Sequence, residues 1–310
     1  MFSYVPTSDF DLQKHGCVVA LGCFDGLHTG HRRLIALAKE EAIRLGLPLA
    51  VYSPEAAKGQ SHLTTPEEKI ALLQSLGADL VFLADFEKIR EMTAGEFVSS
   101  VLFQTLHCRS AVCGYNFKFG KKAAGDASLL TCLLAEHGAT VQIVPSVCDK
   151  GEPISSTRIR NLLKAGQIED ANLLLQRPYT ISGTVEHGRA LGRTLGFPTL
   201  NLSFPESKLV PCHGVYYSRV HTPMGIYGAI TNIGIRPTYS DTPPAPVLES
   251  HLFNFQEVLY GSTVSVELIS FIRKEMAFPH SDALKQAIEH DVLLAKSAAN
   301  ADPLLSKELT

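Results

Sequence analysis

The stretch Cys17-Val18-Val19-Ala20-Leu21-Gly22-Cys23-Phe24-Asp25-Gly26-Leu27-His28-Thr29-Gly30-His31 decides the fold of the first half of the chain. The apolar run from Cys17 to Gly22 reads as a buried strand. A glycine-rich turn follows. From Gly30 to Leu45 apolar residues recur at helical spacing (Leu34, Ile35, Ala38, Leu45) until Gly46 ends the pattern. Strand, turn and helix in this order open a βαβ unit, and the pattern continues downstream. Leu49 to Tyr52, Leu80 to Ala84, Ser110 to Cys113 and Thr140 to Val144 read as further strands. Thr65-Pro66-Glu67-Glu68 and Thr93-Ala94-Gly95-Glu96 are capping boxes, whose helices run to Gly77 and to about Leu106. Asp126 to His137 is a fourth helix, stopped by Gly138. Strands alternating with helices predict an α/β domain with a doubly wound parallel sheet.

After Ser155 the pattern changes. Arg158 to Lys164 and Ala171 to Leu175 read as two short helices closed by Arg177-Pro178. Strand-like runs broken by Gly and Pro then follow: Thr180 to Val185, Val215 to Val220, Ile226 to Ile230, Leu248 to Phe253 and Val264 to Phe271. They predict an antiparallel sheet or barrel, with a last helix from Ser281 to about Ala298. The boundary falls near 176–182, giving domains 1–177 and 178–310. A length of 310 residues agrees with two domains.

Composition narrows the functional classes. Lys plus Arg is 28 against 31 Asp plus Glu, a net of −3, so no strong field favours nucleic acid or an anionic membrane. No apolar run reaches the ~20 residues of a membrane span, and Met1 to Asp11 lacks the pattern of a signal peptide. Seven scattered cysteines with no CxxC pair predict reduced thiols and a cytoplasmic protein. Small-molecule partners are expected, and oligomeric state is not readable.

The chemistry-bearing residues form separate groups. His28 and His31 stand where the first strand hands over to its helix, the crevice of an open parallel sheet where ligands bind. Gly22 and Gly26 let backbone approach a phosphate, and with Phe24 and Asp25 they form a candidate nucleotide-binding turn. The two histidines can donate hydrogen bonds to a triphosphate as its α-phosphorus becomes pentacovalent. In Ile154-Ser155-Ser156-Thr157-Arg158-Ile159-Arg160, Ser156 and Thr157 cap a helix, and Arg160 lies one turn in beside Thr157. Together these segments resemble the nucleotidyltransferase superfamily. Gly114-Tyr115-Asn116-Phe117-Lys118-Phe119-Gly120 places aromatics and a carboxamide at a strand end, suited to a flat ring.

In the second half, Gly188, Gly192 and Gly196, with Arg189 and Arg193, make a phosphate-type loop. It leads into Phe197-Pro198-Thr199-Leu200-Asn201, where the Thr199 hydroxyl is a candidate Mg²⁺ ligand and Asn201 shares its face of a strand. Glu249 lies among apolar neighbours on a predicted strand, either a paired structural carboxylate or a general base for a hydroxyl.

These motifs, with Asn232-Ile233-Gly234-Ile235-Arg236-Pro237-Thr238 and Glu249-Ser250-His251-Leu252-Phe253, resemble the prokaryotic bifunctional riboflavin kinase/FAD synthetase family from about Gly22 to Asp291. The resemblance implies a Rossmann-like nucleotidyltransferase domain followed by a six-stranded riboflavin-kinase barrel. It implies phosphorylation of riboflavin by ATP to FMN, then adenylylation of FMN by ATP to FAD. It puts His28, His31, Asn116, Ser156, Thr157 and Arg160 at the adenylylation site. Thr199 and Asn201 fall on the Mg·nucleotide site of the kinase, Glu249 on the catalytic base, and Phe117 and Arg236 beside the flavin. Two alternatives are a kinase whose adenylylation site is weakened or lost, and a flavin- or nucleotide-binding regulator without turnover. Two departures from the family stand out. Its Phe-x-Pro-His-Pro segment here reads Tyr52-Ser53-Pro54-Glu55-Ala56, so a carboxylate replaces a donor and weaker ATP binding for adenylylation is expected, unless Lys58 takes over. Its Pro-Thr-Ala-Asn segment carries Leu200 in place of alanine.

Overall fold

The computed structural model describes residues 2–6, 12–55, 61–188, 197–235, 245–300, 302 and 304. It divides into two compact units, Met1–Ser156 and Thr157–Thr310.

The first unit is built on β1 (Phe2–Pro6), β2 (Cys17–Leu21), β3 (Leu49–Pro54), β4 (Leu80–Ala84), β5 (Cys108–Gly114) and β8 (Thr140–Val144). Two small hairpins, β6 (Lys118–Phe119) with β7 (Gly125–Asp126) and β9 (Cys148–Asp149) with β10 (Glu152–Pro153), accompany them. The sheet order is β1-β4-β3-β2-β5-β8. From β2 to β8 the pairing is parallel throughout. Every residue of β2 is buried. Cys17, Val19 and Leu21 join one apolar cluster with Leu102 and Leu130, while Val18 and Ala20 join another with Ile35 and Ala38. A strand covered on both faces has to be apolar throughout, and this one is. The chain runs from β2 outward through β3 and β4, then returns to β5 on the other side. The carboxyl ends of β2 and β5 therefore flank the topological switch point.

Helix α1 (Thr29–Leu45) ends at Gly46 in the left-handed conformation, and α2 (Pro66–Ser75) begins with the Thr65–Glu68 capping box. The box at Thr93 and Glu96 is also formed, but Phe97–Thr105 continues as a π-helix. Asp126 caps α3 (Ala127–Ala135) through the N–H groups of Ser128 and Leu129. The added edge strand β1 pairs antiparallel with β4. Its five residues include a proline, which an edge strand tolerates but which hides it from a strand pattern.

The second unit opens with α4 (Ser156–Ala165) and α5 (Ile168–Leu175). Then come β11 (Tyr179–Thr184), β12 (Leu200–Ser203), β13 (Gly214–Thr222), β14 (Gly225–Ile235), β15 (Pro246–Leu252) and β16 (Thr263–Lys274). All pairs are antiparallel, in the order β11-β16-β13-β14-β15-β12. A bridge between Glu186 and Asn201 draws the two ends of the sheet together into a nearly closed barrel. Tyr216, Val220, Ala229, Ile233, Leu248 and Val266 are buried within this unit. Among them runs a row of buried hydroxyls: Ser218 Oγ lies 2.5 Å from Thr231 Oγ1, which lies 2.7 Å from Ser250 Oγ. Helix α6 (Ser281–Asn300) packs Ala295 and Ala299 against Val215, Tyr217, Ile230 and Phe253. Its buried Asp291 receives Arg273 of β16 at 2.7 Å. The barrel implied by the resemblance and the terminal helix read from the sequence are both present, and β12 supplies the strand that the apolar pattern did not mark.

Candidate active sites

In the first unit, the turn after β2 is assembled from beneath. Gly22 N–H donates to the Tyr52 carbonyl at 3.3 Å. Phe24 adopts φ 46°, Gly26 φ 78° and Leu27 φ 42°, a run of left-handed residues that makes the sharp reversal. The Phe24 side chain is fully buried in the apolar cluster, so it supports the turn from below. Asp25 is 5% exposed, and its Oδ1 accepts from the N–H groups of Leu63 at 2.9 Å and Thr64 at 3.2 Å. The Ser156 hydroxyl donates to the Asp25 carbonyl at 2.8 Å. Gly26 N–H donates to Thr64 Oγ1 at 3.3 Å.

On this turn His28 and His31 stack face to face, with ring centroids 3.7 Å apart and planes 18° from parallel. Phe24 meets the His31 ring edge-on at 5.3 Å. Burial lowers the pKa of His28 to about 4, against an opposing pull from Asp25. Burial, then the neighbouring His28 and Lys69, holds His31 well below the usual histidine range. Both rings are therefore neutral at pH 7. Their Nδ1 atoms are buried and, among the described residues, have no hydrogen-bond partner.

Asn116 is exposed just after β5, and a Cβ on Gly114 would come 3.1 Å from its Oδ1. Nearby, Tyr52, Phe97, Phe117 and Phe119 line a cavity of about 640 Å³, rimmed by Arg90, Lys118 and Lys121. Phe117 and Phe119 lie nearly parallel with centroids 5.7 Å apart, and Tyr52 meets Phe97 edge-on at 5.5 Å. The segment read as a ring-binding strand end thus contributes Phe117 and Phe119 to the lining, with Tyr52 and Phe97 supplied by other elements.

In the second unit, Thr157 is exposed and Arg160 half-buried on the first turn of α4. Thr199 precedes β12 and lines a cavity of about 300 Å³ with Pro198, Ser250, Phe255 and Tyr260. His187 stacks on Tyr260 at 3.9 Å. Asn201 is 5% exposed, and its Nδ2 reaches the Thr199 carbonyl at 3.5 Å. It pairs in register with Glu249 of β15, which is half-buried and pairs on its other side with Asn232 of β14. A Cβ on Gly188 would fall 2.3 Å from the Asn201 amide, so only glycine lets the loop come this close. His251 Nδ1 lies 2.9 Å from the Pro198 carbonyl and steadies the Pro198–Thr199 step. Gly192, Gly196 and Arg236, with Arg189 and Arg193, lie outside the described residues, as does Lys58.

Comparison with known proteins agrees with this division. The FAD synthetase family model matches residues 11–158, and the riboflavin kinase model matches residues 175–299. The bifunctional riboflavin kinase/FMN adenylyltransferase of Haemophilus influenzae is 36% identical over 296 residues, covering 92% of this chain and 95% of that protein. Its namesake from Bacillus subtilis is 35% identical over 285 residues, covering 88% and 90%. The chain belongs to the bifunctional riboflavin kinase/FMN adenylyltransferase family. A crystal structure from Streptococcus pneumoniae, described as a macrolide-efflux protein, shares the fold with a TM-score of 0.82 and 30% identity, covering 91% of this chain and 94% of that one. Among the described residues of this chain, no helix is long and apolar enough to cross a membrane.

The family has two activities, and the chain carries two candidate sites. Residues that the motif reading missed are the supports of the first site: Ser53, Thr64 and Lys69, all buried. A signal for Lys69 was present, because it shares the core-facing stripe of α2 with Leu73.

Proposed function

We infer that this chain phosphorylates riboflavin with ATP to give FMN and ADP, and adenylylates FMN with a second ATP to give FAD and pyrophosphate. The observation that carries this reading is the presence on one chain of a stacked, neutral histidine pair at a sheet switch point and an Asn201–Glu249 pair on a barrel. Residues 1–177 are assigned to adenylylation and 178–310 to the kinase. The substrates are small molecules, and the setting is the cytoplasm.

In the kinase reaction, Glu249 takes the proton of the ribityl 5′-hydroxyl as that oxygen attacks the γ-phosphorus of ATP and the bond to ADP breaks. The Thr199 hydroxyl and the Asn201 carboxamide are hard oxygen donors of the type magnesium takes. The close approach of Gly188 to Asn201 keeps this corner narrow enough for phosphate and metal. Thr199 and Asn201 would hold Mg²⁺, which when bound draws charge from the phosphates.

In the adenylylation reaction a phosphate oxygen of FMN attacks the α-phosphorus of ATP and pyrophosphate leaves. That oxygen is already anionic, so no protein base is required. Neutral His28 and His31 contribute N–H donors to the phosphoryl oxygens as charge builds there. Gly22, Asp25 and Gly26 shape the turn beneath, and Asn116 adds a carboxamide. Ser156, whose hydroxyl donates to the Asp25 carbonyl, supplies a hydroxyl beside the turn. The aromatic cavity of Tyr52, Phe97, Phe117 and Phe119 has the size and apolar walls for the isoalloxazine ring.

Incubation of the full chain with riboflavin, ATP and Mg²⁺, followed by chromatographic separation of the flavins, tests the reading. FMN followed by FAD is expected. FMN alone would reduce the protein to a kinase, and neither product would leave a binding protein.

A further inference from the structure

Lys69 is a cation where cations are rarely found. It lies on α2 one turn before Leu73, faces the core and is 4% exposed. A buried ammonium is strongly disfavoured without compensation. Its Nζ hydrogen bonds go to neutral oxygens, the Cys23 carbonyl at 3.0 Å and the Ser53 hydroxyl at 3.2 Å. The Ser53 hydroxyl also donates to the Cys23 carbonyl, at 2.8 Å. Burial, the largest effect, pushes the Lys69 pKa below its ordinary value, and Asp25, Cys23 and Glu55 pull it back up.

Two donors on one carbonyl fix the direction of that peptide. In a trans peptide the N–H points opposite to the C=O. With the Cys23 carbonyl drawn inward, the Phe24 N–H is turned to the outer side of the turn. Phe24 is also the residue whose φ of 46° begins the left-handed run and whose ring abuts His31, the partner of His28. One short segment thus secures both halves of the turn. Leu63 and Thr64 hold the Asp25 carboxylate, and Lys69 holds the Cys23 carbonyl. The Thr65–Glu68 capping box locks the first turn of the helix that carries Lys69, so its position is set before any ligand arrives.

We propose that Lys69 is a positioning residue for adenylylation: it anchors the Cys23–Phe24 peptide from beneath and sets a fixed positive charge behind the turn that receives the α-phosphate, without touching the nucleotide. The proposal rests on the reading of the His28–His31 turn as the adenylylation site. Charge that builds on phosphoryl oxygens in the transition state is favoured by a cation already in place. The same charge helps keep the His31 ring, which faces His28 and Lys69, in its neutral donor form.

The test uses the full chain with Lys69→Met, Lys69→Gln and Lys69→Arg, and reads riboflavin phosphorylation by the same samples as an internal measure of folded enzyme. In the Met and Gln variants kcat for FMN to FAD should fall about tenfold or more, with KM for FMN within about threefold of wild type. Arg, which keeps the charge, should restore most of the rate, and the kinase rate should not change. In histidine-labelled Lys69→Met, the His31 resonance should titrate at higher pH than in wild type, a shift that a merely structural role would not cause. A wild-type rate in Lys69→Met or Lys69→Gln overturns the proposal. Failure of all three variants to fold makes Lys69 a structural anchor and also overturns it. His28→Ala is read in parallel. If it leaves FAD formation intact, the site assignment itself fails. If it abolishes FAD formation while the Lys69 variants do not, only the role of Lys69 is lost.

Discussion

Asn201 and Glu249 are register partners across β12 and β15, which puts a carboxamide and a carboxylate side by side on one face of the barrel. Partners in an antiparallel pair have Cβ atoms ~5 Å apart. In the proposed kinase reaction that spacing would let Asn201 serve the nucleotide while Glu249 serves the attacking hydroxyl.

Glu249→Gln keeps the shape and removes the proposed base. FMN formation should fall by about 10²–10⁴, while FMN to FAD stays near wild type. Flavin chromatography with each substrate supplied separately measures both. A variant that loses its folded spectrum would instead show Glu249 to be a structural carboxylate.

His28→Ala and His31→Ala should each slow FMN to FAD by about 10²–10³, the usual effect of losing one preorganised donor. The kinase rate should be untouched. An unaltered FAD rate in both variants removes the pair from the site.

The low pKa of His28 carries a stability consequence. Its value is near 6.5 in the unfolded chain and about 4 in the folded one. Between these values the unfolded chain binds a proton that the folded chain does not. Stability is therefore full above pH ~6.5 and declines as pH falls toward ~4, by on the order of 3 kcal/mol. His31 acts in the same direction. Thermal unfolding followed from pH 7 to pH 4.5 should show a steeper loss in wild type than in His28→Gln. Parallel curves would contradict the burial argument.

Helices α4 and α5 bear on how the kinase can be isolated. Asn172 Nδ2 donates to the Leu268 carbonyl at 2.8 Å, Phe271 N–H donates to Glu169, and Cys212 N–H donates to the Leu163 carbonyl at 2.9 Å. A fragment 157–310 keeps all of these and should phosphorylate riboflavin. A fragment 183–310 cuts through β11 (Tyr179–Thr184) and loses both helices, so it should be markedly less stable. Equal melting temperatures for the two fragments would refute this.

Glu55 stands directly after β3, with its N–H bonded to the Ala84 carbonyl at 2.8 Å. Its carboxylate acts electrostatically on Lys69. A carboxylate at ~6 Å from a phosphate charge costs roughly 0.7–3 kcal/mol before screening. Glu55→His should lower the ATP KM of the FAD-forming step and leave that of the kinase alone. An unchanged KM would place Glu55 out of reach of the nucleotide.

Much of this was legible because local signals agreed with the fold. The caps at Thr65, Thr93 and Asp126 are all formed, and Leu80–Ala84 and Thr140–Val144 are strands with the bounds that the apolar runs predicted. The supports of the site were harder to see. Ser53, Thr64 and Lys69 act on Cys23 and Asp25 from at least 30 positions away, and no spacing rule links residues joined only by tertiary packing. The aromatic cavity was half visible for the same reason. Phe117 and Phe119 are neighbours in sequence, whereas Tyr52 and Phe97 reach it from other elements. Strand β1 escaped because a five-residue edge strand with a proline carries no alternation to detect.

The hydroxyl row Ser218–Thr231–Ser250 bears on a different matter, the fidelity of barrel assembly. In the native pairing each hydroxyl meets another across three adjacent strands. A slip of one residue at β14 would set Thr231 among aliphatic neighbours and strand its partners without acceptors, at ~1–3 kcal/mol for each orphaned group. The row therefore works as a key that admits one alignment of three strands. The selection is collective: Ser218→Ala, Thr231→Val and Ser250→Ala together would remove the key with little loss of native stability, whereas one of them alone leaves the other hydroxyls in conflict. Mis-registered and aggregated material during refolding, rather than catalytic rate, is where the triple replacement should declare itself.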